Sequence, residues 1–351
     1  MTDLLRDTLS EWAAEAHVPH DLADRALRRR VRIMPFFVVV AALLAAVAVA
    51  VPYVTSGKGP APVSVTPDDV LADTQNVPPR NLIAAGRLAM SAYFTQSGKG
   101  LTWWLYDPRT GTYERTAWSW VDVAPGLRQA AVLDGNGARM GLLDMNTREV
   151  TWWASLERPA GSVAWSPDGT KLLLTTYRKS HRDGYYIVDV ATREAVFRAL
   201  PARAGNDNAR QNLRWSVDGR LIAAPTAKFD PRWVYYTPEG VEQPAPADES
   251  VVDFQGVAPI SPVSPDGSLV FETFKITDRR TGQVVGRTPG PQFLGWTDNS
   301  HFIGLGCVGA CGSNKAGMVL ISADGKETTP LSAAMDPERP DGIWFPVMTP
   351  R

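Results

Sequence analysis

The side chains that most often carry chemistry are sparse in this sequence, and their spacing limits what they can do. The four histidines are His17, His20, His181 and His301. A zinc site needs about four converging ligands, and no cysteine stands near His17 and His20 to complete one. His181 and His301 fall in different repeats, which argues against a shared general base or a histidine-rich metal centre. The chain has no G-x-S-x-G nucleophile elbow and no separate hydrolase domain to supply a Ser, Asp and His in reach of one another. Asp168, Asp218 and Asp266 are spaced like candidate acid–base carboxylates, but each recurs at the same place in a turn motif, which explains them structurally. Asp134-Gly135-Asn136-Gly137 begins like a calcium loop and lacks the remaining ligands, so a turn is expected there. These observations predict a protein without a catalytic apparatus, metal or cofactor.

Two further groups could bind or react. Cys307 and Cys311 are the only cysteines and sit in the glycine-rich run GLGCVGACGSNKAG. The pairs Trp103-Trp104 and Trp152-Trp153 could form a sugar-stacking platform. Both pairs lie within apolar strands, however, where successive residues point to opposite faces. One ring of each pair is therefore expected to fill the core.

The elements that would position such groups are strands. The chain is 44% hydrophobic and 21% charged with a net charge of −1, which provides a core and excludes a basic nucleic-acid footprint. Twelve Trp, 29 Gly and 28 Pro fit many short strands joined by tight turns. Internal repetition makes this specific. Val163-Ala164-Trp165-Ser166-Pro167-Asp168-Gly169, Leu213-Arg214-Trp215-Ser216-Val217-Asp218-Gly219, Pro262-Val263-Ser264-Pro265-Asp266-Gly267 and Gly295-Trp296-Thr297-Asp298-Asn299 each lead into a second apolar strand. Pro presets φ, Asp bonds the local backbone and Gly takes positive φ, which is hairpin chemistry. Ala124-Pro125-Gly126 is the best such turn in the earlier repeats. A third strand ends on Asp107, Asp144, Asp189, Thr237, Asp278 and Ser322 in six copies, about 43 residues apart, the length of one four-stranded propeller blade.

The fold expected is all-β: a six-bladed β-propeller, seven blades being the alternative count. The W-S-P-D-G and S-P-D-G copies make residues 82–347 resemble the TolB-like propeller repeat, a relative of the WD-type repeat. That resemblance implies an architecture, because the family includes both periplasmic partner-binding proteins and accessory domains of peptidases.

Ahead of the repeats, residues 33–54 carry no charge and are long enough to span the roughly 30 Å hydrocarbon core. Arg25, Arg28, Arg29, Arg30 and Arg32 precede them, which predicts a cytoplasmic N-terminus and an extracytoplasmic propeller. A signal peptide cleaved after Ala48 or Ala50 is the alternative. Residues 1–32 read as a cytoplasmic tail with an amphipathic helix (Leu5, Leu9, Trp12, Ala13, Ala16) that rests on the membrane or docks a cytoplasmic partner. Residues 55–80 read as a Pro-rich stalk and 81–351 as the propeller.

In a propeller the A–B and C–D turns share one face, and the B–C and D–A connections share the other. Here the first set is tight and the second long and polar. A partner, an extracytoplasmic protein or cell-envelope ligand, is therefore expected at Arg178, Lys179, His181, Arg182, Asp207, Asn208, Lys228, Phe229, Asp230 and Arg232, across blades three and four. The function expected is a non-enzymatic binding or scaffold module, a sensor if the tail signals. The alternative is an extracytoplasmic hydrolase or lyase with a pocket at the propeller centre.

On the oxidising side of a membrane, Cys307 and Cys311 should be joined by a disulfide. Mass spectrometry of unreduced, alkylated protein should find neither cysteine modified; two alkylated cysteines would refute the bridge.

Overall fold

A computed structural model describes residues 70–97, 100–178, 181–200, 212–225, 233–246, 261–272, 274–288, 292–308, 316–339 and 341–351. All belong to the second of two units, Lys58–Arg351. The proposed tail and membrane segment lie outside the described residues. Among the described residues no helix is long and apolar enough to cross a membrane.

Six antiparallel sheets follow one another along the chain. Blade 1 holds Ala84–Ala85 (β1), Leu88–Ser97 (β2), Gly100–Asp107 (β3) and Thr112–Arg115 (β4). Blade 2 holds Trp120–Val123 (β5), Gln129–Leu133 (β6), Arg139–Asp144 (β7) and Val150–Ser155 (β8), and blade 3 Ala160–Trp165 (β9), Lys171–Arg178 (β10), His181–Asp189 (β11) and Ala195–Ala199 (β12). Blade 4 holds Arg214–Trp215 (β13), Ile222–Pro225 (β14), Trp233–Tyr236 (β15) and Glu242–Gln243 (β16). Blade 5 holds Leu269–Glu272 (β17), Lys275–Asp278 (β18) and Val284–Arg287 (β19), its inner position reduced to a bridge between Val263 and Val270. Blade 6 holds Gln292–Trp296 (β20), His301–Cys307 (β21), Ala316–Ser322 (β22) and Thr328–Pro330 (β23). The six third strands read from the sequence are β3, β7, β11, β15, β18 and β22, and the structure is a six-bladed propeller.

The last strand, Trp344–Pro350 (β24), pairs with β2 and supplies the inner strand of blade 1. The first and last strands of the propeller thus share one sheet. The seal is completed where Arg351 Nε donates to the Gly86 carbonyl at 2.7 Å and the Arg87 amide donates to Thr297 of blade 6 at 3.0 Å. Gly86 takes φ 50°, and a Cβ there would lie 2.4 Å from the Thr297 carbonyl oxygen, so this closure needs glycine.

Residues 70–80, expected as the end of the stalk, lie against the propeller instead. Leu71 bridges to Ala84 and Asp73 to Ser332 of blade 6. The buried Asp73 carboxylate accepts the amides of Arg80 and Asn81, each at 2.7 Å, folding this polar stretch back on itself. Leu71 packs with Ile83, Tyr93, Leu294, Met318 and Trp344 in the core that fills the wedge between blades 6 and 1.

The turns follow the chemistry of their sequences. Ser166 Oγ donates to Asp168 Oδ1 at 2.6 Å and accepts the Lys171 amide, while Asp168 accepts the Thr170 amide. Ser216/Asp218 and Ser264/Asp266 repeat the arrangement. So does Ser322/Asp324 in the outer turn of blade 6. The residues 134–137 form the β6–β7 turn, with the Gly137 amide donating to the Asp134 carbonyl at 3.0 Å.

Neighbouring blades are pinned by indole N–H groups. Trp120 donates to Val163, Trp165 to Asp122, Trp215 to Ala164 and Trp296 to Pro262, all backbone carbonyls at 2.7–3.2 Å. The Trp104 indole N–H, also buried, has no acceptor among the described residues. Trp215→Phe and Trp104→Phe remove comparable ring volume, but only the first also removes an indole–carbonyl hydrogen bond. Urea unfolding should show Trp215→Phe to be more destabilised by about 1 kcal/mol; equal losses would mean that the indole bonds contribute nothing to the ring.

Candidate functional site

The wide face, where B–C and D–A connections run, is shaped by where its strands stop. The stretch 178–183 was expected as a long polar loop. Instead β10 runs to Arg178 and β11 starts at His181, so Arg182 and Asp183 are strand residues. Their polarity reflects a hairpin that projects past the apolar core, which a reading based on loop composition mistakes for a loop. The described strands are spaced more widely elsewhere: β12 ends at Ala199 and β13 begins at Arg214, β14 ends at Pro225 and β15 begins at Trp233, and β16 ends at Gln243 well before β17 at Leu269.

Of the expected partner-binding residues, Arg178 is exposed at the end of β10. His181 begins β11, paired with Arg178. Arg182 is half-buried and donates from Nη2 to the Pro225 carbonyl at 2.8 Å, tying blade 3 to blade 4. Lys179, Asp207, Asn208, Lys228, Phe229, Asp230 and Arg232 lie outside the described residues, as does Cys311; Cys307 ends β21.

Sequence reasoning missed the polar network beneath this rim. Asp183 accepts from Arg158 Nη1 at 2.7 Å and from Thr176 Oγ1 at 2.6 Å. Tyr177 donates to Asn212 Oδ1 at 2.6 Å, and Thr175 Oγ1 accepts the Leu213 amide at 3.0 Å. Burial pushes the Tyr177 phenol up to about 12, so it remains a donor. These contacts fix the rim of blades 2, 3 and 4 as one surface. Three of the four join residues 25 to 38 positions apart, and none carries a local motif.

The tight face is chemically occupied. Asp168 is held below the ordinary carboxylate value, chiefly by the Ser166 hydroxyl, and Asp266 by the Ser268 amide, so both serve as ionised turn acceptors. His301 lies 3.2 Å from Asp298 within its own turn. The tryptophan pairs alternate as expected: Trp103 is fully buried toward blade 2, whereas Trp104 packs into the wedge toward blade 6. Trp153 enters the seam with blade 3, and Trp152, on the other face, is 37% exposed with Arg139 stacked over it.

At the propeller centre, Asp122 is the one carboxylate on the described inner strands. It is buried, and its Oδ2 accepts the Trp165 amide at 2.7 Å. Desolvation raises its pKa to about 7, against partial lowering by the Trp165 and Val123 amides. A perturbed carboxyl in a cleft marks a candidate acid or base. Here the geometry assigns another task, holding an inner-strand amide of the neighbouring blade. The 43-residue separation of Asp122 and Trp165 equals the repeat period, the signal that could have revealed the contact.

No protein-family model matches the sequence, and no curated protein does. Solved structures with similar folds include TolB from Acinetobacter baumannii, 16% identical with a TM-score of 0.41 over 74% of this chain and 66% of that one. Oligogalacturonate lyase in complex with manganese is 14% identical, with a TM-score of 0.42 over 71% of this chain and 75% of that one. Kuenenia stuttgartiensis hydrazine synthase is 15% identical, with a TM-score of 0.33 over 61% of this chain and 66% of that one. This chain spans just under two thirds of the TolB and hydrazine synthase chains. The likenesses concern fold, and the architecture here rests on the chain's own strand pairing.

The raised pKa of Asp122 predicts a pH dependence. The native state holds the Asp122 proton that the unfolded chain releases near its ordinary value of about 4, so this group's stabilising contribution is complete below that value and is lost as pH rises to about 7. In Asp122→Asn the amide oxygen still accepts the Trp165 amide, and the charging cost is gone. Urea unfolding between pH 5 and pH 8 should show a smaller fall in stability for Asp122→Asn than for wild type; parallel profiles would contradict this account.

Proposed function

We propose that the protein is a non-enzymatic extracytoplasmic binding or scaffold module, held on a membrane by residues 33–54 with the tail 1–32 on the cytoplasmic side. Its partner, a protein or cell-envelope ligand, binds the wide face across blades 3 and 4. The observation that carries this reading is the contrast between the two ends of the propeller. The tight-face turns use their Ser, Asp and Gly groups to satisfy their own backbone, whereas the long connections between Ala199 and Arg214 and between Pro225 and Trp233 leave from a rim braced by Asp183 and Arg182. Long connections on a rigid scaffold are where binding side chains concentrate. A hydrolase or lyase would need partnered acid and base groups at the centre, and Asp122 is committed to a blade seam.

The test is proximity labelling in cells, with the labelling enzyme placed on the tail or after Arg351 in separate strains. The propeller-side label should mark extracytoplasmic proteins, and the captured partner should be lost by about tenfold in Lys179→Glu/Lys228→Glu. Asp266→Asn, on the tight face, should leave capture unchanged. Arg182 is unsuitable for this test because its loss would loosen the blade 3–4 contact. Cytoplasmic labelling from the Arg351 fusion would overturn the orientation, and loss of capture only in Asp266→Asn would overturn the choice of face.

A further inference from the structure

The seam between blades 2 and 3 does not close completely on its outer side. A cleft of about 380 Å³ lies there, with Met140, Trp153 and Leu156 on one wall and Tyr186, Val188 and Phe197 on the other. This is within the range of small-ligand pockets. Phe197 is held in place by an edge contact from Tyr186 at 5.2 Å and by the Arg158 guanidinium 4.5 Å above its ring. Arg158 is itself neutralised by Asp183 at 2.7 Å.

Two features of the lining are unexplained by folding. The first is Arg193, which occupies the fifth position of the β11–β12 turn with φ 62°. The equivalent turns of blades 1 and 5 place Gly111 and Gly282 there, at φ 73° and 71°. A side chain in this conformation costs about 1 kcal/mol that glycine avoids. Blade 2 also has an arginine at this position, Arg148 at φ 65°, and there the side chain has a structural role: it lies 3.6 Å from the fully buried carboxylate of Asp107. Arg193 has no carboxylate partner among the described residues and lines the cleft instead. The second feature is Trp153, whose ring forms one wall of the cleft; its indole N–H has no acceptor among the described residues, as is also true of Trp104 and Trp344.

A cation with no carboxylate partner among the described residues, set beside aromatic walls, suits a ligand with one anionic group and an apolar body. Glu157, on the D–A connection and so at the opposite mouth from Arg193, disfavours a second negative charge. We propose that this cleft binds a monocarboxylate with an aromatic or branched aliphatic body. The carboxylate pairs with Arg193 and the body lies between Trp153 and Phe197. Such a group exists as a free acid or as the C-terminal residue of a peptide. The site lies between other blades than the wide-face surface and does not depend on that reading.

Glycine at position 193 relieves backbone strain while deleting the cation, so it separates binding from folding. The full chain in detergent micelles is titrated with 3-phenylpropionate, its neutral amide, and N-acetyl-Ala-Ala-Phe with a free or an amidated C-terminus, followed by saturation-transfer NMR. At least one free carboxylate should bind saturably, and its amide at least about tenfold more weakly. Arg193→Gly should lose binding by the same factor while melting at the same or a higher temperature, and Trp153→Ala, which removes one aromatic wall, should weaken it several-fold. Tighter binding of the peptide acid would identify a peptide terminus as the source, and tighter binding of phenylpropionate a small free acid. Equal binding by wild type and Arg193→Gly, or no saturable binding of any probe at about 10 mM, would overturn the proposal.

Discussion

The inner strand of every blade is a sheet edge, and the propeller depends on how the polar groups of that edge are met. In an open sheet such an edge would be left to water or to another chain. Here the neighbouring blade supplies the partner. Asp122 Oδ2 takes the Trp165 amide, Thr175 Oγ1 takes the Leu213 amide, and the Trp120, Trp165, Trp215 and Trp296 indoles donate to carbonyls across the seams. Each bond joins adjacent sheets, so the blades hold one another only when the ring is complete. That explains the investment at the closure, where β24 enters blade 1, Arg351 caps Gly86, and residues 70–85 fill the wedge toward blade 6.

This arrangement distributes the remaining chemistry unevenly. The tight-face turns are self-satisfied, and their repeated aspartates are ionised acceptors within them. The two proposals place recognition on the wide face and at a seam that does not close completely. The rim braced by Asp183 and the cleft beside Arg193 are those two places, the first broad and polar, the second narrow and aromatic.

Much of the architecture was legible because the repeat places the same turn chemistry at nearly constant spacing. Trp165-Ser166-Pro167-Asp168-Gly169 carries its own geometry, and strands ending on Asp107, Asp144, Asp189 and Asp278 mark four of the six outer hairpins. The closure was not legible, since Leu88 pairs with Pro350 and Thr95 with Trp344, register contacts that leave no local pattern. Residues 70–80 look like a linker by composition, and only the hydrogen bonds to Asp73 show why they pack. For the candidate site, polarity located the rim of blade 3 but misread strand residues Arg182 and Asp183 as loop, while Asp122 and Arg193 had no motif to announce them.

The claim that binding belongs to the wide face can be tested most directly by site-specific photocrosslinking in living cells. A photoreactive residue at Arg178 on the wide face should give a discrete crosslinked adduct, whereas the same residue at Thr170 or Arg280 on the tight face should give none. Adducts from Thr170 or Arg280 with none from Arg178 would contradict the account.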